Sequence, residues 1–214
     1  LEGKDMVPNP VQHNVPAWSL FSIFFIVISL SGSIIRERQD GSFSRLLTMP
    51  CSYTEYLLSK AIVFTLVSLM QFGLMLLIGV FVLPLFGTES LNLGSSPLAL
   101  IILGLSAALA AIGYGIAIGN IAENFHQSAV FGAISIVIMA AIGGIWIPTF
   151  IMSDTLRMIG MFSPMHWGLS GFLEVFMKDA GVKAILPESG MMVLFGLVCF
   201  IIAIAFNYRR RLDV

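Results

Sequence analysis

Charge is the scarcest feature of this chain. Of its 214 residues only 11% are Asp, Glu, Lys or Arg, against about 25% in ordinary soluble domains. The mean hydropathy of +0.95 excludes a soluble globular class before any single residue is read. Cysteine is nearly absent. Cys51 and Cys199 stand in different surroundings, without ligand-spaced neighbours, so neither a disulfide framework nor a metal site is expected. No Gly-x-x-x-x-Gly-Lys-Ser/Thr loop occurs, which excludes ATP hydrolysis by this chain itself. The acidic and basic totals nearly cancel, at 12 and 11, and no nucleic-acid partner is expected. The chain opens on Leu1 with no signal-peptide pattern and reads as a piece of a longer protein.

What is abundant is uncharged sequence in long runs. Pro16 to Ile35, Ala61 to Leu83, Pro97 to Gly119, Ser128 to Ile147 and Gly190 to Phe206 hold 20, 23, 23, 20 and 17 residues without a charge. Roughly 20 apolar residues cross about 30 Å of hydrocarbon as a helix, so five transmembrane helices are expected. Trp18 stands at the start of the first, where interfacial aromatics belong. The expected fold class is an all-α polytopic membrane protein. Residues 1–15, with Pro8 and Pro10, are expected to be an external extended segment, and 16–214 the transmembrane domain. Basic residues set the orientation. Arg36, Arg38, Arg45, Lys60 and Arg209 to Arg211 gather on one side if the spans alternate, which makes that side, with the C-terminus, cytoplasmic. Residues 149–189 are divided by Pro164 into two pieces too short to cross, and Arg157 and Glu174 would be costly in lipid. An outer re-entrant helical pair is therefore expected.

The most charged interval is residues 36–60. Phe43, Leu46 and Leu47 fall at i, i+3 and i+4, on one face of a short helix, with Ser42, Arg45 and Thr48 turned away. Pro50 removes an amide donor and ends that helix by Met49. Ser52-Tyr53-Thr54-Glu55 then has the pattern of a capping box that starts a new helix. Taken alone, such a loop does no more than fix topology.

The combination of Arg36-Glu37-Arg38, Gly41, Arg45-Leu46-Leu47, Pro50, Tyr56-Leu57-Leu58 and Lys60 between two spans resembles the permeases of type-2 ATP-binding-cassette exporters. The resemblance runs from Pro16 onward and includes Phe162-Ser163-Pro164-Met165-His166-Trp167, which is similar to the Ser-Pro motif of the family's re-entrant helices. It implies that 36–60 holds a coupling helix docking on a separate ATPase, with Arg36, Glu37, Arg38, Gly41, Phe43, Arg45, Leu46, Leu47 and Pro50 as the coupling residues. Glu37 and Arg38 would pair with charges on neighbouring segments to transmit the push. The implied partners are ABC ATPase subunits, a second permease copy or homologue, and the lipid bilayer. ATP and magnesium would sit on the ATPase, with no cofactor on this chain. The implied place is the bacterial inner membrane. The chain departs from the family pattern in lacking a first span and the external domain that follows it. The alternative function is a channel or assembly scaffold without ATP coupling.

Two further features lie within the spans. Ala107, Ala111, Gly115 and Gly119 form a small-residue stripe that permits close helix approach, within the chain or between subunits. Gln71, the strongly polar residue of the second run, marks a translocation path or an interhelical hydrogen bond. Gly168-Leu169-Ser170-Gly171 resembles the nucleophile motif of rhomboid proteases, but His13, His126 and His166 all precede Ser170, so the later-span base is missing. No catalytic residue is assigned. His166 beside Trp167 is expected to be an interfacial or packing residue.

Overall fold

The computed structural model describes residues 10–42, 45, 52–147 and 151–212. Among the described residues it forms seven α-helices and no strand. They are α1 (Pro10–Gln39), α2 (Tyr53–Leu77), α3 (Pro97–Ile121), α4 (Phe125–Ile142), α5 (Asp154–Gly160), α6 (Pro164–Lys178) and α7 (Val182–Leu212). Five of them, α1 to α4 and α7, are long and apolar enough to cross a membrane. A π turn (Ile78–Val82) and a 3-10 turn (Leu83–Phe86) finish α2.

The five long helices run alternately up and down. The end of α1, the start of α2, the end of α3, the start of α4 and the end of α7 share one extremity, called here the charged end. Helices α5 and α6 belong to the far end. α1 and α3 form the middle of the bundle, and α2, α4 and α7 flank them. Leu20, Ile23 and Phe24 of α1 meet Leu103, Met165, Phe172, Ile185 and Met192 in a core at the far end. Leu30, Ile34, Tyr56, Leu57, Ile112, Ile116, Cys199 and Ala203 form a second core at the charged end. α2 turns Ile62, Leu66, Met70, Leu74 and Leu77 outward, as a lipid-facing helix does.

Three boundaries differ from the sequence expectation, and a fourth, the capping-box start of α2, falls where the sequence places it. Residues 10–15 are helical, not extended: Pro10 opens α1, and Val11, His13 and Val15 are buried, with the two valines in the far-end core. Burial there offsets the backbone bond lost at Pro16. The last long helix begins at Val182, so 182–189 belong to it and not to the short-helix segment. Ile185 and Met192, two turns apart and both fully buried, carry the helix through Pro187. The fourth helix ends at Ile142, five residues before Ile147, because Gly144 takes φ +91° and the Ile145 amide turns back to the Ala140 carbonyl. α2 begins at Tyr53, eight residues before the second uncharged run, where the capping box forms. Ser52 Oγ accepts from the Glu55 amide at 3.2 Å, and Glu55 Oε2 accepts from the Ser52 amide at 2.7 Å.

The tightest crossing joins α3 to α7. A β-carbon on Gly113 would collide with the Gly196 carbonyl, and one on Gly196 would lie 2.6 Å from the Leu109 carbonyl. Two backbones meet there with nothing between them. The small-residue stripe occupies another face of α3 and packs on α1. At Gly115 a β-carbon would stand 3.2 Å from Val27 Cα, and at Gly119 3.1 Å from Ser31 Cα. Ala107 and Ala111 are fully buried on the same stripe.

Candidate functional site

The charged end holds a continuous polar network over the second core. Its first part ties α1 to α2. Glu37 forms an ion pair with Lys60 and accepts a hydrogen bond from the Tyr56 hydroxyl at 2.8 Å. Lys60 also donates to Ser33 Oγ at 2.5 Å, and Ser33 donates to Glu37 at 3.3 Å. Ser33 and Glu37 are one helical turn apart, as are Tyr56 and Lys60, so two facing turns supply all four groups. The carboxylate is about one-third exposed and the ammonium less.

The second part gathers on the last turn of α3. Arg38 donates to the Gly119 carbonyl at 3.3 Å. The Tyr53 hydroxyl donates to Asn120 Oδ1, and Asn207 of α7 donates to the same oxygen at 3.5 Å. Asn120 is buried, and its own amide nitrogen donates to the Ile116 carbonyl at 2.8 Å. α4 joins through an aromatic ring. The Arg36 guanidinium lies 4.6 Å from the Phe125 ring centroid, and that ring sits on Gly32, one turn before Arg36.

Of the residues singled out in sequence, the structure therefore pairs Glu37 with Lys60, bonds Arg38 to the last turn of α3 and sets Arg36 against the Phe125 ring of α4. Gly41 ends α1 at φ +71°, in the left-handed region that suits glycine, and the Arg45 amide bonds its carbonyl at 3.2 Å. Phe43, Leu46, Leu47 and Pro50 lie outside the described residues, as does most of the helix expected over 42–49. Gln71 makes an interhelical bond: its amide nitrogen donates to Ser22 Oγ and, at 3.3 Å, to the Ser22 carbonyl, tying α2 to α1 mid-bundle. Sequence reasoning missed Asn120, Asn207, Tyr53 and Ser33 as members of the network. An Asn closing an otherwise uncharged run was the available signal. It also missed Glu188, whose Oε2 is buried without a hydrogen-bond partner beside Gly171 of α6.

At the far end, α5 and α6 make an elbow against the end of α4. Ser163 Oγ donates to the Met139 carbonyl at 2.9 Å, and Trp167 Nε1 donates to the Met161 carbonyl at 2.7 Å. Burial holds the half-buried His166 imidazole below its ordinary pKa. The Arg157 charge adds to the effect, against a backbone bond at Gly143. Asp179 closes α6 in a left-handed conformation and accepts from the Ser95 amide at 2.7 Å, which docks the α2–α3 connection on α6. Among the described residues no group of three or more His, Cys, Asp or Glu is placed to hold a metal ion.

Comparison with known proteins settles the family. Residues 11–205 match the family described as ABC-2 family transporter protein. The chain belongs to that family. This permease is 30% identical over 183 residues to the linearmycin resistance permease protein LnrN of Bacillus subtilis, covering 84% of the chain and 46% of the relative. It is 26% identical over 200 residues to the inner membrane transport permease YhhJ of Escherichia coli, covering 88% and 51%. The permease chain thus spans about half the length of the curated relatives it matches. It is a multi-pass membrane component of that transporter family.

Proposed function

We propose that the chain is the bundle-forming part of an ATP-driven exporter, moving its substrate outward on energy released by a separate ATPase. The charged end faces the cytoplasm, and residues 36–60 meet the ATPase, with a second permease copy or homologue completing the path. One observation carries this reading. The connection between α1 and α2 leaves and rejoins the bundle through stems that are bonded to each other, Glu37 to Lys60 and Tyr56, and to the end of α3. A segment held in that way passes a displacement on to the helices. A topological loop needs no such ties. The name of the Bacillus subtilis relative favours efflux of a toxic compound. The α5–α6 elbow occupies the outer leaflet as a re-entrant pair, and the bilayer concerned is the bacterial inner membrane.

The test is reconstitution of the full-length protein with an ATPase subunit of the same organism. Phe43→Ala with Leu46→Ala removes two apolar anchors, each worth roughly 1.5–3 kcal/mol when buried. The ATPase should then no longer co-purify. Single cysteines at Ser44 and Ser90, with Cys51 and Cys199 replaced, should be shielded from and open to an external impermeant thiol reagent, respectively. Retention of the ATPase by the double variant, or labelling at Ser44 from outside, refutes the assignment.

A further inference from the structure

The two stems of the α1–α2 connection converge on a single turn of α3. Arg38 reaches the Gly119 carbonyl from the stem that leaves the bundle, and Tyr53 reaches Asn120 from the stem that returns. The same Asn120 oxygen takes the Asn207 amide of α7. Four helices are thus tied by polar bonds at two consecutive residues, one of them a buried amide with both of its polar atoms engaged. α3 and α7 also touch backbone to backbone at Gly113 and Gly196, near mid-bundle, so a displacement given to the end of α3 is carried along α7.

Building on the proposed role of residues 36–60, we propose that Asn120 is the positioning residue through which movement of that segment reaches α3 and α7. Glu37 and Lys60 hold the two stems together; Asn120 decides whether they take the rest of the bundle with them. Its acceptor oxygen is the working atom, because Tyr53 and Asn207 both donate to it. The amide nitrogen is occupied by the Ile116 carbonyl, inside the helix to which Asn120 belongs. Asn120 acts through the helices it joins.

The experiment uses the full-length protein with its ATPase subunit in nanodiscs, in a Cys51→Ser, Cys199→Ala background. Spin labels at the exposed positions Leu58 of α2, Phe131 of α4 and Phe206 of α7 report two distances, 58 to 131 and 206 to 131, before and after trapping with ATP and vanadate. In the parent protein both distances should change on trapping. In Asn120→Leu the change at Leu58 should persist, while the fraction of molecules showing the change at Phe206 falls at least about fivefold, within the usual range of coupling effects. Tyr53→Phe, which removes only the hydroxyl, should act in the same direction and add little to Asn120→Leu, as members of one pathway do. Asn120→Asp keeps the acceptor oxygen and should restore the change at Phe206, which a purely structural role of the side chain would not predict. Should Asn120→Leu fail to assemble, Tyr53→Phe and Asn120→Asp decide the matter. A full change at Phe206 in Asn120→Leu or Tyr53→Phe overturns the role of Asn120 and leaves the coupling role of 36–60 standing. A parent complex in which neither distance changes overturns both.

Discussion

Gly113→Ala should destabilise the bundle although it adds one methyl group to a helix interior. The position has two opposed effects. Replacing a mid-helix glycine by alanine favours the helix by roughly 0.5–1 kcal/mol. Against it, the new β-carbon would meet the Gly196 carbonyl, which is backbone of a neighbouring helix and cannot swing aside as a side chain would. α3 and α7 must separate along the crossing, and overpacking of this kind costs about 1–3 kcal/mol. The net expectation is a loss centred on about 1 kcal/mol and reaching about 2.5 kcal/mol, the difference between those two ranges. Gly73→Ala supplies the control. It lies inside α2, where an added methyl group would have nothing within 4 Å of it, so only the helix-favouring effect remains and stability should be level or higher. Gly115→Ala, whose nearest neighbour at 3.0 Å is the movable Leu30 Cδ2, should fall between them. Thermal unfolding in one detergent, followed by tryptophan fluorescence, ranks the three. If Gly113→Ala melts with Gly73→Ala, the two backbones do not meet as described, and α7 is free to shift relative to α3.

Three other outcomes are expected. Glu37→Gln keeps the shape of the side chain and loses the charge facing Lys60, so it should lower the stability by about 1 kcal/mol or less and reduce ATP hydrolysis coupled to transport while the ATPase still co-purifies; Lys60→Met should do the same, and the pair together should be less than additive. Glu188→Leu removes a carboxylate oxygen that is buried without a partner, so the melting temperature should rise, and an unchanged or lower value would reveal a partner for that oxygen in the assembled transporter. Because burial lowers the His166 pKa, the unfolded chain takes up its proton first as the pH falls from 6.5 toward the lower folded value; stability is lost over that window, and His166→Asn should flatten this part of the pH–stability curve.

The helices were legible because a crossing helix needs only an uncharged run of the right length, and the chain has five. Their ends were less so. Pro16 and Pro187 are breakers by local rules, yet each sits in a helix whose neighbouring turn is buried in the core, at Val15 and Ile185. Local rules do not see that burial. The stripe of Ala107, Ala111, Gly115 and Gly119 could be found because it is periodic. Its counterpart across the bundle could not, because Gly113 and Gly196 are 83 positions apart and each stands outside a repeat. The network at the charged end divided in the same manner. Glu37 and Arg38 stood out as charges beside a span, whereas Asn120 and Asn207 are uncharged and acquire meaning only when α3 and α7 end side by side.

The placement of α2 shows why those few polar residues count for so much. Tyr56, Leu57, Ser68 and Phe72 are the buried residues of that helix, and most of its other apolar side chains face outward. In a bilayer an outward-facing leucine loses little by exchanging a protein neighbour for a lipid tail, so apolar contact holds such a helix weakly. Interhelical polar bonds in membranes are worth about 0.6 to 2 kcal/mol each, and α2 has three sets of them: Gln71 with Ser22 at mid-depth, Lys60 and Tyr56 with Glu37, and Tyr53 with Asn120. Two of the three lie within the first eight residues of the helix, next to the segment assigned to the ATPase. A push of a few kcal/mol delivered there competes with bonds of its own size, while the α3–α7 crossing, built from backbone contact, resists. Movement of α2 about a hinge near Gln71, with the rigid α3–α7 pair drawn along as one unit through Asn120, is the motion this distribution of contacts favours. Gln71→Leu should therefore weaken the hinge without freeing the charged end. Accessibility of cysteines placed along α2 to a membrane-permeant reagent should rise around Ser68 and Met75 in that variant and stay unchanged around Ser59; a uniform rise along the helix would mean that Gln71 holds α2 as a whole and that the hinge lies elsewhere.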